Sequence, residues 1–192
     1  MPQFRLFWAI NLPSSLKSKL AAVQEKLKTI NADTKWVEEK NLHLTLQFLG
    51  DVDASSITTL INNMENALDG FPALHLGLGG LGFFPNLKRP RVLWAGIAGD
   101  LSSLQKLSDA VQKANLLAGF PGEEREFRPH LTLARLRSNK GLGALFTAVK
   151  DLSGSVTYLG DLNVTSVDLM KSKLSRQGPT YTLLQAVKLR SA

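Results

Sequence analysis

Apolar side chains recur along this chain in two periods. Leu16, Leu20, Val23, Leu27 and Ile30 are spaced by four, three, four and three residues, the repeat of an amphipathic helix. Pro13 stands just before it, where a helix start tolerates proline. Ile57, Leu60, Ile61, Met64 and Leu68 predict a second helix, stopped by Gly70. A third is expected over 101–117 with Gly119 as its stop, and Leu142, Leu145, Phe146 and Val149 predict a short fourth. Strands are expected at 4–10, 42–49, 73–81, 91–97, 129–136, 163–170 and 181–189, where β-prone or alternating residues are bounded by turn formers. Gly50-Asp51 and Gln177-Gly178-Pro179 read as turns, and 83–90 as a loop containing Pro85, Asn86 and Pro90.

The order of these elements repeats. Arg5-Leu6-Phe7-Trp8-Ala9 resembles Arg91-Val92-Leu93-Trp94-Ala95, 86 residues later. Ser14-Ser15-Leu16 resembles Ser102-Ser103-Leu104 at a spacing of 88, and Ala22-Val23-Gln24 resembles Ala110-Val111-Gln112. His43-Leu44-Thr45-Leu46 returns 87 residues on as His130-Leu131-Thr132-Leu133. Two copies are too few for a solenoid. The expectation is a single domain over 1–192 whose two lobes, each reading strand, helix, strand, are related by a pseudo-two-fold axis.

Composition narrows the function. The 192 residues suffice for a sizeable core without covalent staples. The absence of cysteine excludes disulfides and thiolate metal sites. Met1-Pro2-Gln3-Phe4-Arg5 does not read as a signal peptide, and the apolar runs fall short of a membrane span, so a soluble cytoplasmic chain is expected, with no membrane contact. The net charge of +7 suits a polyanionic partner such as RNA, and equally suits simple solubility.

The repeated tetrapeptide carries the chemistry. Strand side chains alternate between faces, so His43 and Thr45 share one face while Leu44 and Leu46 enter the core; the same holds for His130 and Thr132. Two imidazoles can serve as acid and base together, and threonine hydroxyls can donate to phosphate oxygens. A lone histidine in an apolar strand is usually structural, and His75, in Leu74-His75-Leu76-Gly77 without the following threonine, is the internal control. Zinc would need a third ligand. Neither motif carries a carboxylate three or four residues after its histidine, and Glu38 and Glu39 fit a solvated turn, so no metal and no cofactor is expected.

The chain resembles the two-histidine phosphoesterase superfamily, specifically its RNA 2′,3′-cyclic phosphodiesterase group, also called 2′-5′ RNA ligases. Besides the two motifs, Arg5-Leu6-Phe7-Trp8-Ala9-Ile10, Phe48-Leu49-Gly50, Gly80-Leu81-Gly82-Phe83-Phe84-Pro85 and Phe127-Arg128-Pro129 before His130 carry the likeness. The hairpin near Met170 to Leu174 is less like the family pattern. The resemblance implies a bilobal α+β fold: two pseudo-symmetric lobes of antiparallel sheet, helices outside, and a central catalytic cleft. It implies metal-independent hydrolysis of an RNA 2′,3′-cyclic phosphate to a 2′-phosphate, with His43 as proton donor to the leaving 3′ oxygen and His130 as proton acceptor from water. ATP-independent 2′-5′ ligation is the same chemistry reversed. RNA with such an end, tRNA fragments included, is the expected partner, and no obligate protein partner is inferred. The alternatives are a phosphodiesterase for small cyclic phosphates or 2′-5′ oligonucleotides, and a non-catalytic RNA-binding module. Candidate substrate contacts are Arg128, which shares the face of His130 by parity, Phe84 as a base-stacking ring, and Arg135. Arg135 falls on the leucine side of a regular strand, so a bulge or a strand end would be needed to aim it at phosphate. Lys88, Arg89 and Arg91 could follow the RNA backbone, or form a solvated basic loop.

Overall fold

The computed structural model describes residues 2–122, 126–176 and 178–191; Gln177 of the expected turn lies outside the described residues. The elements run β1 (Gln3–Asn11), α1 (Ser14–Lys28), β2 (Thr34–Trp36), β3 (His43–Asp53), α2 (Ile57–Leu68), β4 (Leu74–Phe84), β5 (Val92–Gly99), α3 (Leu101–Leu117), β6 (His130–Leu136), α4 (Leu142–Ser153), β7 (Gly160–Val164), β8 (Ser166–Leu174) and β9 (Pro179–Lys188). Short 3-10 turns occupy Glu39–Asn41 and Ala54–Ser56. Among the described residues no helix is long and apolar enough to cross a membrane.

The four periodic segments are helices because each has one apolar stripe to bury. On α1 this stripe is Leu16, Leu20, Val23 and Leu27, which join the main core with Leu104, Leu107 and Val111 of α3. Asp100 caps α3 by accepting a hydrogen bond from the Ser103 amide at 3.0 Å.

The strands form one antiparallel sheet in the order β7-β4-β5-β6-β3-β1-β8-β9, with β2 also paired to β6. The sheet curls into a half-barrel. Its convex face, with Leu6, Trp8, Ile10, Leu44, Leu93 and Leu131, packs on the helices. The order is pseudo-symmetric about its centre. There β3 and β6, the two motif strands, are neighbours that meet at one register pair, Leu44 opposite Leu131. The lobes are therefore halves of one curled sheet, and the two motifs lie side by side at its centre, on its concave face. The chain's last strands complete the half that holds β1, through β8 paired with β1, whereas β4 and β7 complete the half that holds β5.

Four departures from expectation have local causes. Gly50-Asp51 is not a turn, since β3 continues to Asp53 through Gly50 at φ +73, a conformation that glycine adopts freely. The segment 163–170 is split between β7 and β8, which pair at opposite ends of the sheet. The expected loop at 83–90 begins two residues late, because β4 runs through Phe84. Finally, the first landmark of the repeat is out of register by one. Ala9, opposite Thr45, corresponds to Trp94, opposite Thr132, at a spacing of 85. A one-residue slip exchanges faces. Trp8 is accordingly buried in the core, where its indole nitrogen donates to Asn115 Oδ1 at 2.9 Å, while Trp94 lies on the concave side.

Candidate active site

The strand parity of the two motifs is realised: Leu44, Leu46, Leu131 and Leu133 are buried, and His43, Thr45, His130 and Thr132 are half-buried on the other face. Because β3 and β6 are antiparallel about the Leu44–Leu131 pair, each histidine stands diagonally across from the other, beside the other motif's threonine.

Both imidazoles are anchored in the same way. His43 Nδ1 lies 2.7 Å from the Asn41 carbonyl and His130 Nδ1 lies 2.7 Å from the Arg128 carbonyl, each two residues upstream. A carbonyl can only accept, so Nδ1 carries the proton in both neutral rings and Nε2 is left as the reactive nitrogen. The Thr45 hydroxyl, 3.0 Å from His43 Nε2, donates to it in that state.

The rings differ in their surroundings. Phe7 lies 4.9 Å from His43 and Tyr181 5.3 Å from it, edge-on; Phe7 also contacts Phe48 at 5.7 Å. Burial pushes the His43 imidazole down to about 4; the bond to Asn41 opposes this and the charge of Lys17 adds to it. His43 is thus neutral in the free protein at neutral pH. His130 is the more open ring. Phe84 stands edge-on to it at 4.9 Å and tilts against Trp94 at 5.1 Å. The Trp94 indole lies over Gly82, where any Cβ would collide with it, and its nitrogen has no partner among the described residues.

Both motif strands carry a bulge directly after the threonine. β3 skips Leu46 in its pairing with β1, and β6 skips Leu133 in its pairing with β5. The extra residue reverses the alternation. Phe48 and Arg135, each five residues after its histidine, are therefore returned to the concave face, and both are exposed. The bulges are held from below by buried amides. Gln24 of α1 donates to the Leu133 carbonyl at 2.9 Å, and Asn115 of α3 donates to Gln47 at 2.8 Å. The bulge that Arg135 needs is present. Arg135 and Arg5 both act electrostatically on Tyr181, whose hydroxyl is pushed up by burial and pulled back by the two guanidinium charges.

The Arg128 side chain turns out to Glu126 at 3.3 Å, so its carbonyl, not its guanidinium, serves His130. His75 is exposed, with Nδ1 2.7 Å from Asn163 Oδ1, away from both motifs. Lys88 and Arg89 sit in a turn closed on Asn86 Oδ1. Glu38 pairs with Lys40 at 2.8 Å and Glu39 accepts from Ser18 at 2.8 Å, a solvated turn. Among the described residues no three His, Cys, Asp or Glu side chains come together as metal ligands. Phe7, Phe48, Trp94 and Tyr181 were not expected in the site. Phe48 was legible in principle, as the counterpart of Arg135 in the repeat.

A curled antiparallel sheet with two histidine-threonine strands at its centre defines a two-histidine phosphoesterase. The chain belongs to the LigT-like phosphoesterase family, whose model matches residues 10–94 and 98–181, nearly one half of the chain each. It is 34% identical over 174 residues to the RNA 2′,3′-cyclic phosphodiesterase of Aeropyrum pernix, covering 91% of this chain and 97% of that one. It is 30% identical over 185 residues to the protein of the same name from Methanothermobacter thermautotrophicus, covering 96% and 98%. The crystal structure of Escherichia coli LigT complexed with 3′-AMP superposes with a TM-score of 0.76 at 28% identity, covering 98% of this chain and 99% of that one. The crystal structure of TT0787 from Thermus thermophilus gives 0.78 at 28% identity, covering 97% and 98%.

Proposed function

We propose that this enzyme hydrolyses RNA 2′,3′-cyclic phosphate ends to 2′-phosphates, with His43 and His130 as the acid–base pair and no metal. The observation that carries the reading is the matched pair of imidazoles, each anchored through Nδ1 so that Nε2 is the reacting nitrogen, with a threonine on the same face and the Thr45 hydroxyl bonded to His43 Nε2 in the free protein. Water attacks phosphorus in line from the His130 side, and His130 Nε2 takes its proton. The P–O3′ bond breaks toward His43, whose Nε2–H protonates the departing oxygen. The openness of the two rings suits this direction, whereas the lowered titration of His43 opposes it until an anionic substrate is bound. His130 is the more open ring, as a water-activating base requires, and Phe7, Phe48 and Tyr181 surround the His43 side, where the nucleoside would lie. Phe48, half exposed, and Phe84 offer faces on which a base can stack.

A neutral His43 cannot donate, so its proton must arrive with the substrate. A phosphate anion beside the ring favours the charged imidazolium. Once Nε2 is protonated it no longer accepts from Thr45, and that hydroxyl is released to donate to a non-bridging phosphate oxygen alongside Thr132. Arg135 lies on the same face to receive anionic charge. An RNA 5′-hydroxyl in place of water would give the 2′-5′ linkage without ATP. The fold has no membrane helix among the described residues and the chain has no cysteine, and both suit a cytoplasmic enzyme acting on RNA fragments, those of tRNA included. The test is incubation with an oligonucleotide ending in a 2′,3′-cyclic phosphate in the presence of EDTA, with product identification by mass and by sensitivity to a 2′-phosphatase. A 2′-phosphate product is expected. A 3′-phosphate, or activity that needs added zinc or manganese, would overturn the reading.

A further inference from the structure

β2 has three residues, and it pairs with β6: Thr34 faces Leu136, Lys35 faces Arg135 and Trp36 faces Ala134. Residues directly opposite in an antiparallel pair project to the same side, with Cβ atoms about 5 Å apart. Trp36 packs against the main core, so its neighbour Lys35 projects to the concave side, together with Arg135. Both are exposed. Like charges directly opposite one another destabilise a sheet. Among the described residues neither side chain makes an ion pair: those present are Lys28–Glu25, Lys40–Glu38 and Arg128–Glu126. Two cations without an ion-pair partner thus stand on neighbouring strands, on the face that carries the histidines and at the end of the cleft beyond Thr132. An anion between them would remove the repulsion.

We propose that Lys35, with Arg135 beside it, is a second anion subsite that takes a backbone phosphate on the 5′ side of the cyclic end. This rests on the reading of the site as an RNA-end phosphodiesterase. The enzyme then distinguishes an RNA chain from a mononucleotide by the Lys35 contact, which lies outside the histidine–threonine centre.

The experiment compares a nucleoside 2′,3′-cyclic phosphate with an oligoribonucleotide carrying the same end, across a range of salt concentrations. Wild type, Lys35→Gln and Lys35→Arg are measured. Lys35→Gln should lower kcat/KM for the oligonucleotide roughly fivefold through KM and reduce the salt slope by about 0.7, the value for one single-strand phosphate contact. The mononucleotide rate should not change, and Lys35→Arg should restore the oligonucleotide rate. Equal loss on both substrates, or no loss and an unchanged slope, overturns the subsite. If wild type hydrolyses neither substrate, the phosphodiesterase reading fails on its own. The subsite is then judged by direct binding of an oligonucleotide with a plain 3′-phosphate, where an equal salt slope in wild type and Lys35→Gln overturns it.

Discussion

Asn41 holds His43 from two sides. Its carbonyl accepts the imidazole Nδ1–H at 2.7 Å, and its buried side-chain amide donates to the Pro179 carbonyl at 2.9 Å, at the start of the strand that lays Tyr181 against the same ring. The counterpart in the other half, Arg128, supplies only its carbonyl. Asn41→Ala should therefore cost about 1–3 kcal/mol of stability, because the Pro179 carbonyl loses its partner. It should lower kcat more than it raises KM, because the misplaced ring fails in the chemical step. Asn41→Asp keeps the shape but loses the donor. Urea unfolding and steady-state kinetics on both variants check this; wild-type kcat in Asn41→Ala would show that the clamp does not position the ring.

The half-buried, neutral His43 predicts proton uptake on ligand binding. If the imidazole sits near 4 when free and is the acid in the complex, binding a nucleoside 2′-phosphate at pH 7 must draw a proton from solution. Calorimetry in buffers of different ionisation enthalpy should show uptake that His43→Gln reduces. The His43 ring signals in NMR should move toward the imidazolium position on titration with the ligand. If uptake is the same in both proteins and the ring remains neutral, His43 is not the acid and the two roles are exchanged.

The same shift predicts how stability depends on pH. The folded imidazole titrates below the 6.5 of an ordinary histidine, so the unfolded chain takes the proton first as pH falls. The contribution of neutral His43 is fully present above about pH 6.5 and is lost progressively toward pH 4. It amounts at most to roughly 3–4 kcal/mol. His43→Gln should flatten the fall in stability across this window. Parallel stability curves for wild type and His43→Gln between these limits would contradict the burial argument.

What the sequence made legible was periodic or repeated. The spacing of Leu16 to Leu27 marked α1, and the recurrence of His-Leu-Thr-Leu marked the pair at the centre of the sheet. What it hid depends on contacts between distant residues. The bulge that aims Arg135 into the cleft is held by Gln24, 109 residues away from Leu133. Trp8 and Trp94 look equivalent as letters and occupy opposite faces, because residue similarity does not register a one-position shift in pairing. β2 is too short to show an alternation, and its place beside Arg135 is set by the end of β3. Tyr181 reaches His43 only because β8 and β9 fold back along β1.

The roles of the two histidines can be separated by the leaving group. His43→Ala and His130→Ala should each lower the rate on the cyclic phosphate at least roughly 10²-fold, the lower range for general acid–base catalysis. The double variant should lose less than the product of the two, since the residues act as a unit. Thr45→Ala and Thr132→Ala should lose up to about 10²-fold, the scale for one donor to a transition-state oxygen. Thr45→Ala should also shift the pH profile, because its hydroxyl bonds to His43 Nε2. His75→Ala should retain full activity. An acyclic 3′-deoxynucleoside 2′-phosphodiester whose second ester group is p-nitrophenol puts in the place of O3′ an oxygen that departs without protonation. On that substrate His43→Ala should recover most of the lost rate, whereas His130→Ala, still short of a base for water, should not. Recovery in His130→Ala alone would exchange the roles and leave the pair intact. Near-normal turnover of the cyclic phosphate by either single variant would refute two-histidine catalysis.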